Sequence, residues 1–262
     1  MDLMSGPLYW AILALAGAAC GFLNTLASSG SAVTLPLLVL LGMPEGAANA
    51  TNRLPVLIGS MMATVTFARK GKVDWSAAWK LVIPAAAGAA VGAFLAELLP
   101  NKQMGYLITG AVLLALIMLF TKMKSALAKD THGPGTTTPL ALALMFGVGV
   151  WLGLIVLDGA TYLLLILILV CSYALPEANA LKGVIAAATT FVAIAMFWSK
   201  GDIWLVEGLV LGAGSIVGGH LGAELSNHPD ARKWAFRMLV VAIGLELINL
   251  GWHYSGPWRA EI

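Results

Sequence analysis

The sequence predicts an all-α, polytopic integral membrane protein made of two homologous halves with interrupted helices. Of its 262 residues, 60% are hydrophobic and only 11% are charged, whereas a soluble domain carries about 25% charged residues. Several apolar segments are about 20 residues long, which is the length that crosses a hydrocarbon core about 30 Å thick. A chain with so little charge cannot cover itself with a water-facing surface, so composition and segment length together place it in a membrane.

Turns and one polar linker separate the apolar segments. The segments lie near residues 8–28, 32–43, 47–68, 76–98, 104–121, 140–157, 160–175, 178–198, 203–225 and 233–252. Leu175-Pro176-Glu177 is one of the predicted turns. The predicted organisation is a first transmembrane repeat at 1–121, a polar cytoplasmic linker at 122–139 and a second transmembrane repeat at 140–262.

Residues of the first half recur in the second half at an offset of about 130. Ala48-Asn49-Ala50 returns as Ala178-Asn179-Ala180, and Lys70-Gly71 returns as Lys200-Gly201. Gly88-x-x-x-Gly92 also has a counterpart at 218 and 222, and glycines at this spacing allow close helix packing. Duplicated membrane halves with interrupted helices are typical of secondary transporters.

The orientation of the two halves is open on charge alone. Basic residues at 69–72 and at 122–129 indicate two cytoplasmic loops. An inverted and a parallel arrangement place equal numbers of the remaining basic residues on the cytoplasmic side. Because residues 8–43 read as two helices around a break at Gly30, each half has five segments, and we expect an inverted five-plus-five arrangement.

Several function classes find no support in the sequence. The net charge of +2 indicates no nucleic-acid partner. Cys20 and Cys171 lie singly in apolar segments and read as buried small hydrophobes. No cofactor or metal site is expected, because no cluster has metal-ligand spacing. A membrane-embedded enzyme would need a nucleophile or metal pair, and a metal-cation carrier would need clustered carboxylates or thiolates.

A knot of small polar residues, Ser28-Ser29-Gly30-Ser31, interrupts the first apolar stretch. A broken helix exposes backbone N–H groups, and a helix N-terminus favours negative charge, so the knot could hold an oxyanion. Pro36 is expected in the first turn of the helix after the break. The alternative is a capping or packing turn without a ligand.

Polar residues also open the next segment in each half. Asn49, Asn52 and Asn179 could bind a ligand or could cap helix starts. Arg53 and Lys182 are cations within apolar surroundings, where a charge is costly and needs a reason. The alternative for both is snorkelling to the membrane interface.

Asp158 follows the apolar run 154–157 at the position that corresponds to the serine knot. A carboxylate there is either paired with a cation such as Lys182 or neutralised by a proton. It is therefore a candidate proton-coupling residue, with a structural ion pair or helix cap as the alternative.

The motifs of both halves resemble the TauE/SafE sulfite exporter family. In the first half these are Asn24 to Ser31, Thr34-Leu35-Pro36 and Ala48 to Arg53; in the second half they are Asp158 to Tyr162 and Ala178 to Lys182. Family members usually carry a glycine triplet where this chain has Ser28-Ser29-Gly30, and that departure bears on the substrate. The resemblance implies transport of a sulfur-containing oxyanion such as sulfite, sulfoacetate or another organosulfonate.

The resemblance and the residues together predict a secondary transporter in the cytoplasmic (inner) membrane, working by alternating access, with another small anion such as a carboxylate as the alternative substrate. Expected partners are the small anion, the lipid bilayer, protons as coupling ion and, as one option, a second copy in a homodimer. The expected substrate-binding residues are Asn24, Ser28, Ser29, Gly30, Ser31, Asn49, Asn52, Arg53, Asp158, Thr161, Asn179 and Lys182.

Overall fold

The computed structural model describes residues 6–99, 135–156, 159–198 and 203–226, together with positions 228, 230, 233, 234 and 237. The regular elements in these ranges are α-helices. They are α1 (Pro7–Ala27), α2 (Ser31–Leu40), α3 (Glu45–Thr51), α4 (Arg53–Arg69), α5 (Trp75–Leu98), α6 (Pro139–Leu154), α7 (Gly159–Leu169), α8 (Leu175–Trp198) and α9 (Leu205–Leu225). The segment predicted near 104–121, and most of those at 122–139 and 233–252, lie outside the described residues.

Four of these helices, α1, α5, α8 and α9, are long and apolar enough to cross a membrane. Their outward faces carry large apolar side chains such as Leu15, Trp79 and Phe94, which are exposed in the isolated chain. In lipid such side chains need no cover, while each helix satisfies its own backbone hydrogen bonds. The prediction of a helical membrane protein is confirmed.

Two local predictions were wrong. Pro36 does not lie in the first turn after the break, because α2 begins at once at Ser31 and places this proline in its interior. A proline there removes one internal hydrogen bond, and α2 is only ten residues long. Leu175 to Glu177 form the first turn of α8 rather than a separate turn, because proline suits the start of a helix.

Glycines bring two pairs of helices into backbone contact. A Cβ atom built at Gly17 of α1 would lie 1.9 Å from the carbonyl oxygen of Leu211 on α9. One built at Gly92 of α5 would lie 1.9 Å from the carbonyl oxygen of Val150 on α6. No side chain fits at these distances, so the predicted packing role of the glycines is confirmed. The first helix of each predicted half thus packs against the last described helix of the other.

The same contacts give the helix directions. From Ala14 to Phe22 of α1, the facing residue on α9 moves from Gly214 to Gly222, so these helices are parallel; α5 and α6 are parallel in the same way. α4 is parallel to α9 and antiparallel to α8. Only the short segment 70–74 joins α4 to α5, so α5 runs antiparallel to α4. Because α1 has the direction of α9 and α4, and α6 has the direction of α5, α1 and α6 run in opposite directions.

Candidate functional site

The break after α1 is buried and tightly packed. Ser28 ends the helix with a φ of 63°, in the left-handed region, where glycine is the usual residue. A Cβ at Gly30 would lie 2.2 Å from the carbonyl oxygen of Cys20, so the chain can turn back here only with a glycine. Two amides at the start of α2 are already used, because Ala32 and Val33 donate to the carbonyls of Ser29 and Gly30. Protein, not solvent, covers the serine knot.

The amino group of Lys182 from α8 reaches the end of α1. Its Nζ donates to the carbonyl oxygens of Asn24 and Thr25 at 2.9 and 3.0 Å and to the Oγ of Ser28 at 2.9 Å. An ammonium has three hydrogens, and these contacts use all three. A cation at a helix C-terminus also meets the negative end of the helix dipole. Lys182 is only 3% exposed, so it does not snorkel to the membrane surface.

A small cavity lies beside this contact, between α1, α4, α7 and α8. Its polar lining includes Asn24, Ser60, Asn179 and Lys182, and its volume is about 10 Å³. That is room for about one water molecule. The Oδ1 of Asn179 is buried and has no hydrogen-bond partner within the described ranges. The cavity therefore combines one cation with one unsatisfied acceptor.

The break after α1 also meets the start of α7. Thr161 is buried, and its hydroxyl donates to the carbonyl oxygen of Ser28 at 3.3 Å. Ala160 of the same helix lines the cavity. Residues that the sequence places in different halves, Ser28 on one side and Thr161 and Lys182 on the other, are thus neighbours.

A second buried cation, Arg53, holds the break after α6. Its Nη1 and Nη2 atoms each donate over 2.7 Å, to the carbonyl oxygens of Leu152 and Gly153. The guanidinium lies 4.8 Å from the ring centroid of Phe197, a cation–π distance. Arg53 is fully buried, so snorkelling is wrong for this residue too.

Two asparagines support that second break. The side chain of Asn49 donates to the carbonyl oxygen of Leu154 at 3.2 Å and accepts from the amide of Val156 at 3.1 Å. Asn49 therefore bridges the two main-chain groups on either side of residue 155, where α6 ends. Asn52 accepts from Thr34 on α2, and its Nδ2 finds no partner in the part of the chain that is described.

The two cations lie in different layers of the protein. The neighbour of Lys182, Gly183, faces Ser60 and Thr64 on α4, which follow Arg53 by seven and eleven residues. At 1.5 Å per residue this separates the layers by about 10–16 Å. Of the predicted site residues, the structure brings together Asn24, Ser28, Thr161, Asn179 and Lys182. Asn49, Asn52 and Arg53 form a second group around the other break.

The other predicted site residues belong to neither of these two groups. Ser29 and Ser31 are buried within the knot, and the Oγ of Ser29 has no partner among the residues described. Asp158 lies outside the described residues. Sequence reasoning missed Ser60, which lines the cavity, and Phe197, which covers Arg53. A lone polar residue in an apolar segment could have indicated Ser60, but nothing in the sequence links Phe197 to Arg53.

Neither buried cation is paired with a carboxylate in the described ranges. The ion pairs found there lie nearer the surface: Lys70 with Glu224 at 2.6 Å, Lys72 with Glu177 at 3.0 Å and Lys233 with Asp230 at 2.9 Å. Lys182 donates instead to two carbonyl oxygens and the Ser28 hydroxyl, and the Nη atoms of Arg53 donate to two carbonyl oxygens, while the Nε of Arg53 has no partner among the described residues. The features described define a helical membrane protein with two interrupted helices, each capped by a buried cation.

Comparison with known proteins gives the family. The model of the family described as "Sulfite exporter TauE/SafE" matches residues 13–247. A probable membrane transporter protein ORF9 of Sinorhizobium is 25% identical over 238 residues, 90% of each chain. A probable membrane transporter protein of Haemophilus influenzae is 28% identical over 82% of this chain and 84% of its own. The probable membrane transporter protein YfcA of Escherichia coli K12 is 24% identical over 85% of this chain and 82% of its own. No solved structure matches the chain.

Because the family model covers most of its length, this chain belongs to the TauE/SafE family, and it is a membrane transporter of that family. The resemblance drawn from the motifs in both halves is confirmed.

Proposed function

We propose that this protein is a secondary active transporter that moves a small sulfur-containing oxyanion across the cytoplasmic membrane by alternating access. The residues proposed to bind the anion are those that the structure brings together at Lys182, with the group around Arg53 at the other break. The family match supports the class of transporter. Support for an anion comes from the charges inside the protein.

The observation that carries the proposal is that no carboxylate among the described residues pairs with Lys182. Its ammonium is buried beside a cavity, and the described residues that contact it do so through uncharged oxygens. A buried charge is costly unless it is paired. A transported anion would supply the missing counter-charge, and Ser, Asn and Lys side chains suit an oxyanion through charge-assisted hydrogen bonds.

The small size of the cavity supports alternating access. At about 10 Å³ it is too small for an anion with three oxygens. Helices must therefore move apart for substrate to enter. The two layers around Lys182 and Arg53 each lie at an interrupted helix.

We further propose that the two halves form an inverted repeat. The opposite directions of α1 and α6 support it, as does the reciprocal packing of α1 on α9 and α5 on α6. Lys182 caps the first helix of one half and Arg53 caps the first helix of the other. Inverted halves that meet at broken helices are a common basis of alternating access.

Proton coupling through Asp158 is the remaining part of the proposal. It rests on the sequence, since this residue is outside the described ranges. The variant Asp158→Asn should remain folded but lose the dependence of transport on a pH gradient. Unchanged proton dependence would remove Asp158 from the mechanism.

A ligand screen tests the proposed function. Purified protein is melted with sulfite, sulfate, thiosulfate, sulfoacetate, taurine and simple carboxylates, and hits are measured by isothermal titration. We expect a sulfur oxyanion to stabilise the wild type, and the effect to weaken in Lys182→Ala and Ser29→Ala. Arg69→Ala is the matched control, because Arg69 is an exposed cation at the end of α4. A carboxylate or a cation that outperforms every sulfur anion would overturn the assignment.

A further inference from the structure

The cavity beside Lys182 has an electrostatic composition that restricts what it can hold. The helices around it are α1, α4, α7 and α8, and Lys182 is the single titratable side chain that they place on its lining, within the described residues. The other titratable groups on these helices do not line it: Tyr9, Cys20, Arg53, Arg69, Tyr162 and Glu177. Among the described residues, the cavity lining therefore carries one charged side chain, and its charge is positive.

One positive charge balances one negative charge. A monoanion would leave the buried site neutral, whereas a dianion would leave an excess negative charge surrounded by apolar helices. Such an excess is costly in a medium of low dielectric constant. The charge balance thus separates singly from doubly charged oxyanions of nearly the same size.

The hydrogen-bonding groups add a second restriction. Asn179 lies one helical turn from Lys182 on α8, so both side chains share a face. Its Oδ1 is buried on the cavity lining without a partner in the described ranges, and its residue is 1% exposed. An unsatisfied buried acceptor favours a ligand that brings a donor. If Lys182 turned towards a ligand, the carbonyl oxygens of Asn24 and Thr25 would also lose their donor.

We infer that the site selects a singly charged oxyanion that still carries a proton, such as hydrogen sulfite, over the corresponding dianion. The negative oxygens face Lys182, and the hydroxyl hydrogen is donated to Oδ1 of Asn179. This inference rests on the proposed function and specifies its substrate. It also attributes pH dependence of binding to the ligand, separately from any proton coupling at Asp158.

Three ligands separate charge from hydrogen bonding. Methanesulfonate is a monoanion without a donor, sulfate is a dianion, and sulfite passes from monoanion to dianion near neutral pH. Titration calorimetry with detergent-purified protein is run with each from below to above neutral pH. We expect methanesulfonate affinity to change less with pH than the affinity for total sulfite. Sulfate should bind at least about tenfold more weakly than hydrogen sulfite, because an uncompensated buried charge costs more than one hydrogen bond.

For total sulfite, the apparent affinity should fall about tenfold for each pH unit once the dianion dominates, since only the protonated fraction binds. Sulfate binding as tightly as hydrogen sulfite, or sulfite affinity that ignores pH, would overturn the inference while the proposed function stood. Absence of binding by all three anions would instead overturn the proposed function.

A variant tests the acceptor. Asn179→Leu should lose the preference for hydrogen sulfite over methanesulfonate, by about tenfold, and Asn179→Ala serves if the leucine variant does not fold. Thr64→Val is the matched control, because Thr64 also has an unpartnered buried hydroxyl in the described region but does not line the cavity. An unchanged preference in either Asn179 variant would contradict the assigned role.

Discussion

Replacement of Arg53 by methionine should destabilise the protein by removing the cap of α6. The guanidinium makes two charge-assisted hydrogen bonds of 2.7 Å, to Leu152 and Gly153, and its residue is fully buried. Each such bond is worth about 1.5–3 kcal/mol, so two abandoned carbonyls cost about 3–6 kcal/mol. Removal of a buried charge returns part of this. The expected net loss is about 2–4 kcal/mol, or a fall of roughly 5–15 °C in melting temperature.

The protein contains its own reporter for this measurement. Cys20 and Cys171 are free and buried, so a thiol-reactive fluorescent dye added during heating labels them only as the chain unfolds. Arg53→Lys should lose about half as much stability, because it keeps the charge but not the two-pronged geometry. The exposed Arg69→Met is the control and should melt like the wild type. An Arg53→Met protein as stable as the wild type would refute the capping role.

Three further perturbations test other parts of the structure, each by the same melting assay. Gly92→Val should destabilise by about 3 kcal/mol or more, because its side chain would force α5 and α6 apart; normal melting would contradict their backbone contact. Lys72→Glu should lower the free energy of unfolding by about 1 kcal/mol or less, because its ion pair with Glu177 is partly exposed. The additional change Glu177→Lys should restore the lost stability. Burial and the hydrogen bond to Asp74 raise the pKa of Tyr173 above its usual value near 10, so stability present below that pH is lost as pH rises further. Tyr173→Phe should flatten this alkaline decline, and a decline that persists would assign it to another group.

Most of the helical architecture could be predicted from the sequence, because lipid imposes simple requirements on length and polarity. The segment predicted at 76–98 is α5 at Trp75–Leu98, and the one at 8–28 is α1 at Pro7–Ala27. Errors arose where a proline was taken only as a sign that a helix starts or that the chain turns. Pro36 lies inside a helix and Pro176 within the first turn of another, since neighbouring contacts decide which role a proline takes.

The candidate site could be predicted as a set of residues but not as a geometry. Lys182 and Arg53 stand out because charges are rare in apolar segments, and both prove to be buried. Sequence could not show that each caps a distant helix, because those partners are main-chain carbonyls with no side-chain signature. Nor could the sequence show that Asn49 bridges residues 154 and 156, or that the Oδ1 of Asn179 has no hydrogen-bond partner among the described residues.

The central claim is that Lys182 supplies the counter-charge for a transported anion, and uptake of radiolabelled sulfite into proteoliposomes tests it most directly. Wild type and Lys182→Met are reconstituted at equal density, after melting curves have shown which fraction of each is folded. We expect the wild type to accumulate sulfite and the folded Lys182→Met protein to lose at least about tenfold in rate, as expected when a charged hydrogen-bond donor is lost. Uptake by folded Lys182→Met at the wild-type rate would contradict the claim.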